Sequence, residues 1–153
     1  MTERAIKARN YFLEGYNCSQ SVFLAFCDLT GFDEKTALLV SSSFGGGMGR
    51  LREVCGAVSG MFMAAGVLYG YTDPKAGPEK MEHYKRIQEL AASFKERNSS
   101  IVCRDILGKI AEDKSLVRFY DGYYTVYEQL DFEQILRRYY DGLVRIAEMI
   151  EEM

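Results

Sequence analysis

The sequence predicts an all-α protein, a compact bundle of five or six helices packed around one apolar, glycine-rich helix. Three observations lead there. Apolar residues recur at three- and four-residue steps through most of the chain, the period of a helix with one buried face. No alternating apolar–polar pattern outlasts these segments. Finally, Val54 to Thr72 carries no charge and is rich in small residues (Gly56, Ala57, Ser59, Gly60, Ala64, Ala65), as suits a helix that neighbours approach closely. At 153 residues with two prolines and no low-complexity tract, residues 1–153 read as a single domain.

Cap and stop signals set the elements in order. Thr2 can cap a first helix through Leu13, and Gly15 ends it. Asn17, with Gln20 three residues on, is a capping-box start that puts Cys18 at the first helical position of a second helix ending at Gly31. Asp33 caps a short third helix through Val40. A serine–glycine loop leads to Cys55, which opens the central helix, and that helix stops near Gly70. Asp73-Pro74 and Gly77-Pro78 mark a turn and a new start. Met81, Tyr84, Ile87, Ala91 and Phe94 are the expected buried stripe of the next helix, and Asn98-Ser-Ser100 ends it. Ile101–Leu107 follows as a short helix terminated by Gly108. Residues 117–130 form an aromatic insertion, read equally well as a hairpin, irregular chain or a broken helix, and with a partner surface as a further use. Asp131 starts a last helix whose stripe is Phe132, Ile135, Leu136, Tyr139, Leu143, Ile146, Ala147 and Ile150.

Composition narrows the function classes. A net charge of −3 carries no nucleic-acid footprint. The uncharged run is read as a buried core helix and not a membrane span, because four glycines, a serine and a cysteine dilute it. The N-terminal segment has no apolar signal core, which predicts a cytoplasmic protein. Four cysteines there point to free, metal-bound or redox-active thiols.

Three of those cysteines, Cys18, Cys55 and Cys103, fall at or near predicted helix starts. A helix N-terminus carries partial positive charge and unpaired N–H groups, which favour a thiolate. Cys27 lies nine residues beyond Cys18, about half a turn away in phase on a continuous helix, and reads as a core residue. There is no Cys-x-x-Cys pair, and His83 is expected as a half-exposed helical residue, so a Cys–His hydrolase is not indicated. The loop with Gly45, Gly46, Gly47 and Arg50 resembles a phosphate cradle but lacks the Gly-Lys-Ser/Thr ending; flexibility or close helix approach is the plainer reading. Arg50, Arg52 and Arg104 flank the thiols in sequence and would favour their ionised form if they also do so in space.

Convergence of the three thiols allows two chemistries. Cys55, as nucleophile, could form a reversible disulfide with Cys18 or Cys103. Alternatively Cys18, Cys55 and Cys103 could be metal ligands, holding a metal ion or an iron–sulfur cluster with a fourth ligand from elsewhere. A third possibility is a helical interaction module in which the cysteines only pack.

Tyr16-Asn-Cys-Ser-Gln-Ser-Val22, Phe44-Gly-Gly-Gly-Met-Gly-Arg50, Val54-Cys-Gly-Ala-Val-Ser-Gly60 and Cys103-Arg-Asp-Ile-Leu-Gly108 together resemble the C-GCAxxG-C-C family, over residues 1 to about 108 and weakly in the last helix. The resemblance implies a helical fold and cysteines engaged in redox work or in holding a prosthetic group such as an iron–sulfur cluster. It also implies redox or transporter-associated partners. The residues carried over are Cys18, Cys55 and Cys103. Where the family pattern has a fourth cysteine, in the C-terminal helix, this chain offers Tyr139 or Tyr140, a departure that weakens a four-thiolate cluster more than a dithiol. The aromatic segment is an addition to the pattern.

Overall fold

The computed structural model describes residues 3–111, and the fold there is all-α. Helices α1 (Glu3–Leu13), α2 (Cys18–Leu24), α3 (Cys27–Thr30) and α4 (Glu34–Ser41) lead into a 3-10 turn, Ser42–Phe44. A single glycine turn, α5 (Gly45–Met48), follows, then α6 (Gly56–Tyr69), α7 (Gly77–Asn98) and α8 (Cys103–Ala111). The Thr2 cap, the aromatic segment 117–130 and the helix from Asp131 lie outside the described residues. Among the described residues the one extended pairing is an isolated antiparallel bridge between Val54 and Val102. No helix there is long and apolar enough to cross a membrane.

The start of α2 forms as the capping box requires. Asn17 Oδ1 accepts from the backbone N–H groups of Ser19 and Gln20, both at 3.0 Å, and Gln20 Oε1 accepts from the Asn17 N–H at 3.2 Å. Asn17 Nδ2 also donates to the Ser42 carbonyl at 3.0 Å, which ties this helix start to the turn after α4. The second helix does not run through to Gly31. It breaks at Ala25 and Phe26, where φ/ψ of −113° and 7° at Phe26 leave the helical region, and restarts as α3 before Gly31 closes it at φ 72°. No glycine or proline announces the break.

The central helix is α6. Val58, Met61, Ala64 and Ala65 are fully buried on it, facing Val22 and Phe23 of α2 and the rest of the core. Its small residues let α2 approach backbone to backbone. A methyl group on Gly60 would lie 2.7 Å from the Ser19 carbonyl oxygen and 3.0 Å from Val22 Cβ.

Two expectations downstream need correction. The buried stripe of α7 is His83, Ile87, Leu90 and Phe94, while Met81 and Tyr84 face outward at 69% and 45% exposure. His83 is therefore buried and not half-exposed; its ring meets Tyr71 edge-on at 6.2 Å between centroids. Gly108 does not terminate the last described helix, which starts at Cys103 and continues to Ala111. The Ser100 hydroxyl accepts from the Val102 N–H at 3.0 Å and donates to Asp105 at 2.8 Å, fixing that start.

Candidate functional site

Three helix starts carry the three cysteines. Cys18 is the first residue of α2, Cys55 is the N-cap of α6, and Cys103 is the first residue of α8. Cys55 and Cys103 meet because residues 52–55 pair antiparallel with 101–104. The Cys55 N–H donates to the Ile101 carbonyl at 2.8 Å, the Cys103 N–H to Glu53 at 2.6 Å and the Arg104 N–H to Arg52 at 3.2 Å. Val54 and Val102 are the directly opposed pair. Cys55 and Cys103 each stand one residue beyond it, so they share the opposite face as diagonal neighbours, about 7–8 Å apart by their Cα atoms.

Cys18 arrives from the other side. Gly56 follows Cys55, and a Cβ there would sit 3.1 Å from Cys18 Cβ and 2.8 Å from the Phe44 carbonyl oxygen. A bare glycine is what lets the two helix starts touch. Cys55 lies between the other two closely enough that charge on either Cys18 or Cys103 disfavours charge on Cys55.

Burial differs along the set. Cys55 and Cys103 are sealed, at 1% and 3% exposure, whereas Cys18 is half-buried. All are free thiols. The helix start acts on Cys55 in the expected direction, since the N–H groups of Ala57 and Val58 favour its thiolate. Burial outweighs them, and with Cys18 second it pushes the Cys55 thiol up from 9.0 to about 12. In the closed protein Cys55 is a neutral thiol, which corrects its expected role as the activated nucleophile.

A thiol whose folded pKa exceeds its unfolded value stabilises the fold in its neutral form. That contribution is complete below pH 9.0 and is lost as pH rises toward about 12. The urea midpoint of the protein is therefore expected to fall steadily across this alkaline window, and Cys55→Ala to fall less steeply; identical slopes would show that Cys55 is not the buried titrating group.

The basic residues divide. Arg52 Nη1 reaches Cys103 Sγ at 3.9 Å and the Gly46 carbonyl at 3.4 Å. Arg104 instead forms a two-pronged ion pair with Glu53, at 3.2 and 3.1 Å. Arg50 folds back over the turn, its Cγ 3.0 Å from where a Cβ on Gly46 would stand. The glycines expected as a cradle are occupied by protein. Gly45 packs on the Asn17 side chain, and a Cβ on Gly47 would lie 2.6 Å from Cys103 Cβ. Gly46, Gly47 and Gly49 have φ of 65°, 76° and 60°, conformations open to glycine. The sequence carried no signal for Arg52 as the cation nearest a thiol, since it depends on a non-local pairing.

Cys27 stands apart. Its electrostatic neighbours are Glu34, Asp28 and Asp33, which together with burial push its thiol up. Its sulfur points at the Phe23 carbonyl, 3.9 Å away.

The residues matching the sequence motifs thus form one structural unit, and comparison with known families agrees. A family model described as "Putative redox-active protein (C_GCAxxG_C_C)" matches residues 16–127. The chain belongs to the C_GCAxxG_C_C family. The matched stretch includes Cys18, Cys55 and Cys103 with the glycine turn between them. Searches of curated proteins and of solved structures found no match.

A metal centre fits the described residues poorly. An iron–sulfur cluster takes four thiolates as a rule, and three converge here, one of them held neutral by burial. The space beside Cys103 is filled by Gly47. Among the described residues no three His, Cys, Asp or Glu side chains are grouped to hold a metal ion.

Proposed function

We propose that this member of the C_GCAxxG_C_C family is a dithiol redox protein in which Cys18 is the outer, attacking thiol and Cys55 the inner thiol that closes the disulfide. The single observation behind the reading is the pairing of a half-buried Cys18 with a sealed Cys55 across the bare Gly56 contact. Cys18 has the access and the helix-start N–H groups that favour a thiolate. Cys103 is a third thiol of the same centre.

The exchange balances without an added cofactor. The Cys18 thiolate attacks one sulfur of a substrate disulfide, forms a mixed disulfide and expels the other half as a thiolate, which takes up a proton. Cys55 then attacks the Cys18 sulfur, its proton passing to the second departing half. One substrate disulfide becomes two thiols, and Cys18 and Cys55 become oxidised. A redox or transporter-associated protein carrying such a disulfide is the partner this chemistry suits, in a reducing, cytoplasmic compartment.

Treatment with a small aliphatic disulfide, acid quench and peptide mapping tests it. The expected product is a Cys18–Cys55 linked peptide, with both halves of the reagent released as thiols. Recovery of all three cysteines as unlinked thiols after oxidation would remove the reading.

A further inference from the structure

We propose that the glycine turn is a hinged cover over the inner thiols, and that Arg52 is the latch that holds it shut. From Gly46 to Arg50 every residue has positive φ, at 65°, 76°, 61°, 60° and 67°, and Arg52 follows at 63°. Three of these, Met48, Arg50 and Arg52, are not glycine, so they are held in a conformation that an L side chain disfavours. Such a run persists only where its surroundings hold it.

Those surroundings are few. The turn's own backbone bonds are long: Arg50 N–H to Gly45, Leu51 N–H to Met48 and Glu53 N–H to Gly47 all span 3.2 Å. The remaining tie is the Arg52 guanidinium, which bridges the Gly46 carbonyl and the Cys103 sulfur. The cover is also thin. Leu51 is 71% exposed and Met48 36% on its outer side, while Gly47 on its inner side rests directly on Cys103. One layer of strained chain separates solvent from two thiols at 1% and 3% exposure.

Opening the turn exposes Cys55 and Cys103 while Cys18 is reachable with the turn shut. The cover's purpose rests on the thiol chemistry proposed above, but its existence does not.

Hydrogen exchange on Arg52→Gln decides the latch. The amides of Arg50, Leu51 and Glu53 are expected to exchange about tenfold faster than in the wild type, as loss of one charged hydrogen-bond donor implies. The α2 amides of Val22, Phe23 and Leu24 keep their rates within about twofold. Arg52→Lys, retaining charge but not the fork, falls between. Wild-type exchange in the turn, or equal acceleration in α2, overturns the proposal. Gly47→Ala supplies the second reading. Its methyl cannot coexist with Cys103 in the closed turn, so Cys103 alkylation is expected to rise at least about tenfold while that of Cys18 holds within about twofold. An inert Cys103 in a folded Gly47→Ala protein would show that the turn is not what seals it. Neither readout requires a disulfide, so a chain that never links Cys18 to Cys55 can still pass, and a working dithiol can still fail.

Discussion

Cys55→Ser is expected to abolish reversible oxidation while leaving Cys18 able to take up half of a small disulfide. The first step of the exchange needs only the outer thiol, and Cys18 keeps its place at the α2 start. The second step needs an inner thiol already in position. An intramolecular attack enjoys an effective concentration far above any reagent thiol in solution, so its removal is expected to lengthen the life of the mixed disulfide by about two orders of magnitude or more. Intact mass should show wild-type protein losing two hydrogens, and Cys55→Ser gaining half the reagent. Serine at a site with 1% exposure buries a hydroxyl, which costs about 1–3 kcal/mol when unpartnered. Cys55→Ala run in parallel separates that cost from the chemistry. Cys103→Ser is the contrasting variant, expected to close the Cys18–Cys55 disulfide as before. A Cys55→Ser protein that instead links Cys18 to Cys103 would transfer the inner role to Cys103.

Local signals made much of this arrangement legible. Asn17 and Gln20 announced a capping box, and that box fixes Cys18. The uncharged small-residue run announced α6, and with it Cys55 at a helix start. Caps act over three or four residues, so a linear reading captures them. What escaped was non-local or competitive. The pairing that brings Cys103 to Cys55 involves four residues on each side, too short for any periodicity. The left-handed run includes Met48, Arg50 and Arg52, for which glycine statistics give no warning. The break after Leu24 occurs between ordinary helix-compatible residues, where tertiary packing overrides propensity. His83 was recoverable: His83, Ile87, Leu90 and Phe94 follow a 4-3-4 spacing as regular as the stripe the apolar residues alone suggested. On Cys55 the helix-start effect was sound in direction, but burial, a property of the whole fold, proved larger.

Gly60→Ala is expected to destabilise the protein by about 2–3 kcal/mol, although alanine is the better helix former. Away from contacts, Gly→Ala in a helix interior gains about 1 kcal/mol. At Gly60 the new methyl would stand 2.7 Å from the Ser19 carbonyl oxygen, 3.0 Å from Val22 Cβ and 3.4 Å from the Phe23 nitrogen. Two of these are backbone atoms of α2, which cannot rotate aside. The helices must separate by several tenths of an ångström, and the tight packing of Val22, Phe23, Val58 and Met61 is lost with them. Gly66, on the same helix, has nothing within 4 Å of the corresponding position. Gly66→Ala is therefore expected to raise the melting temperature by about 2–4 °C and Gly60→Ala to lower it by at least about twice that. The opposite signs are the decisive reading, because helix propensity alone would move both upward together. The consequence reaches the thiols as well. The same α2–α6 approach brings Gly56 onto Cys18, so a wedge at Gly60 should also slow closure of the Cys18–Cys55 disulfide. A Gly60→Ala protein as stable as wild type, closing its disulfide at the wild-type rate, would show that α2 and α6 do not meet as tightly as the bare glycines require.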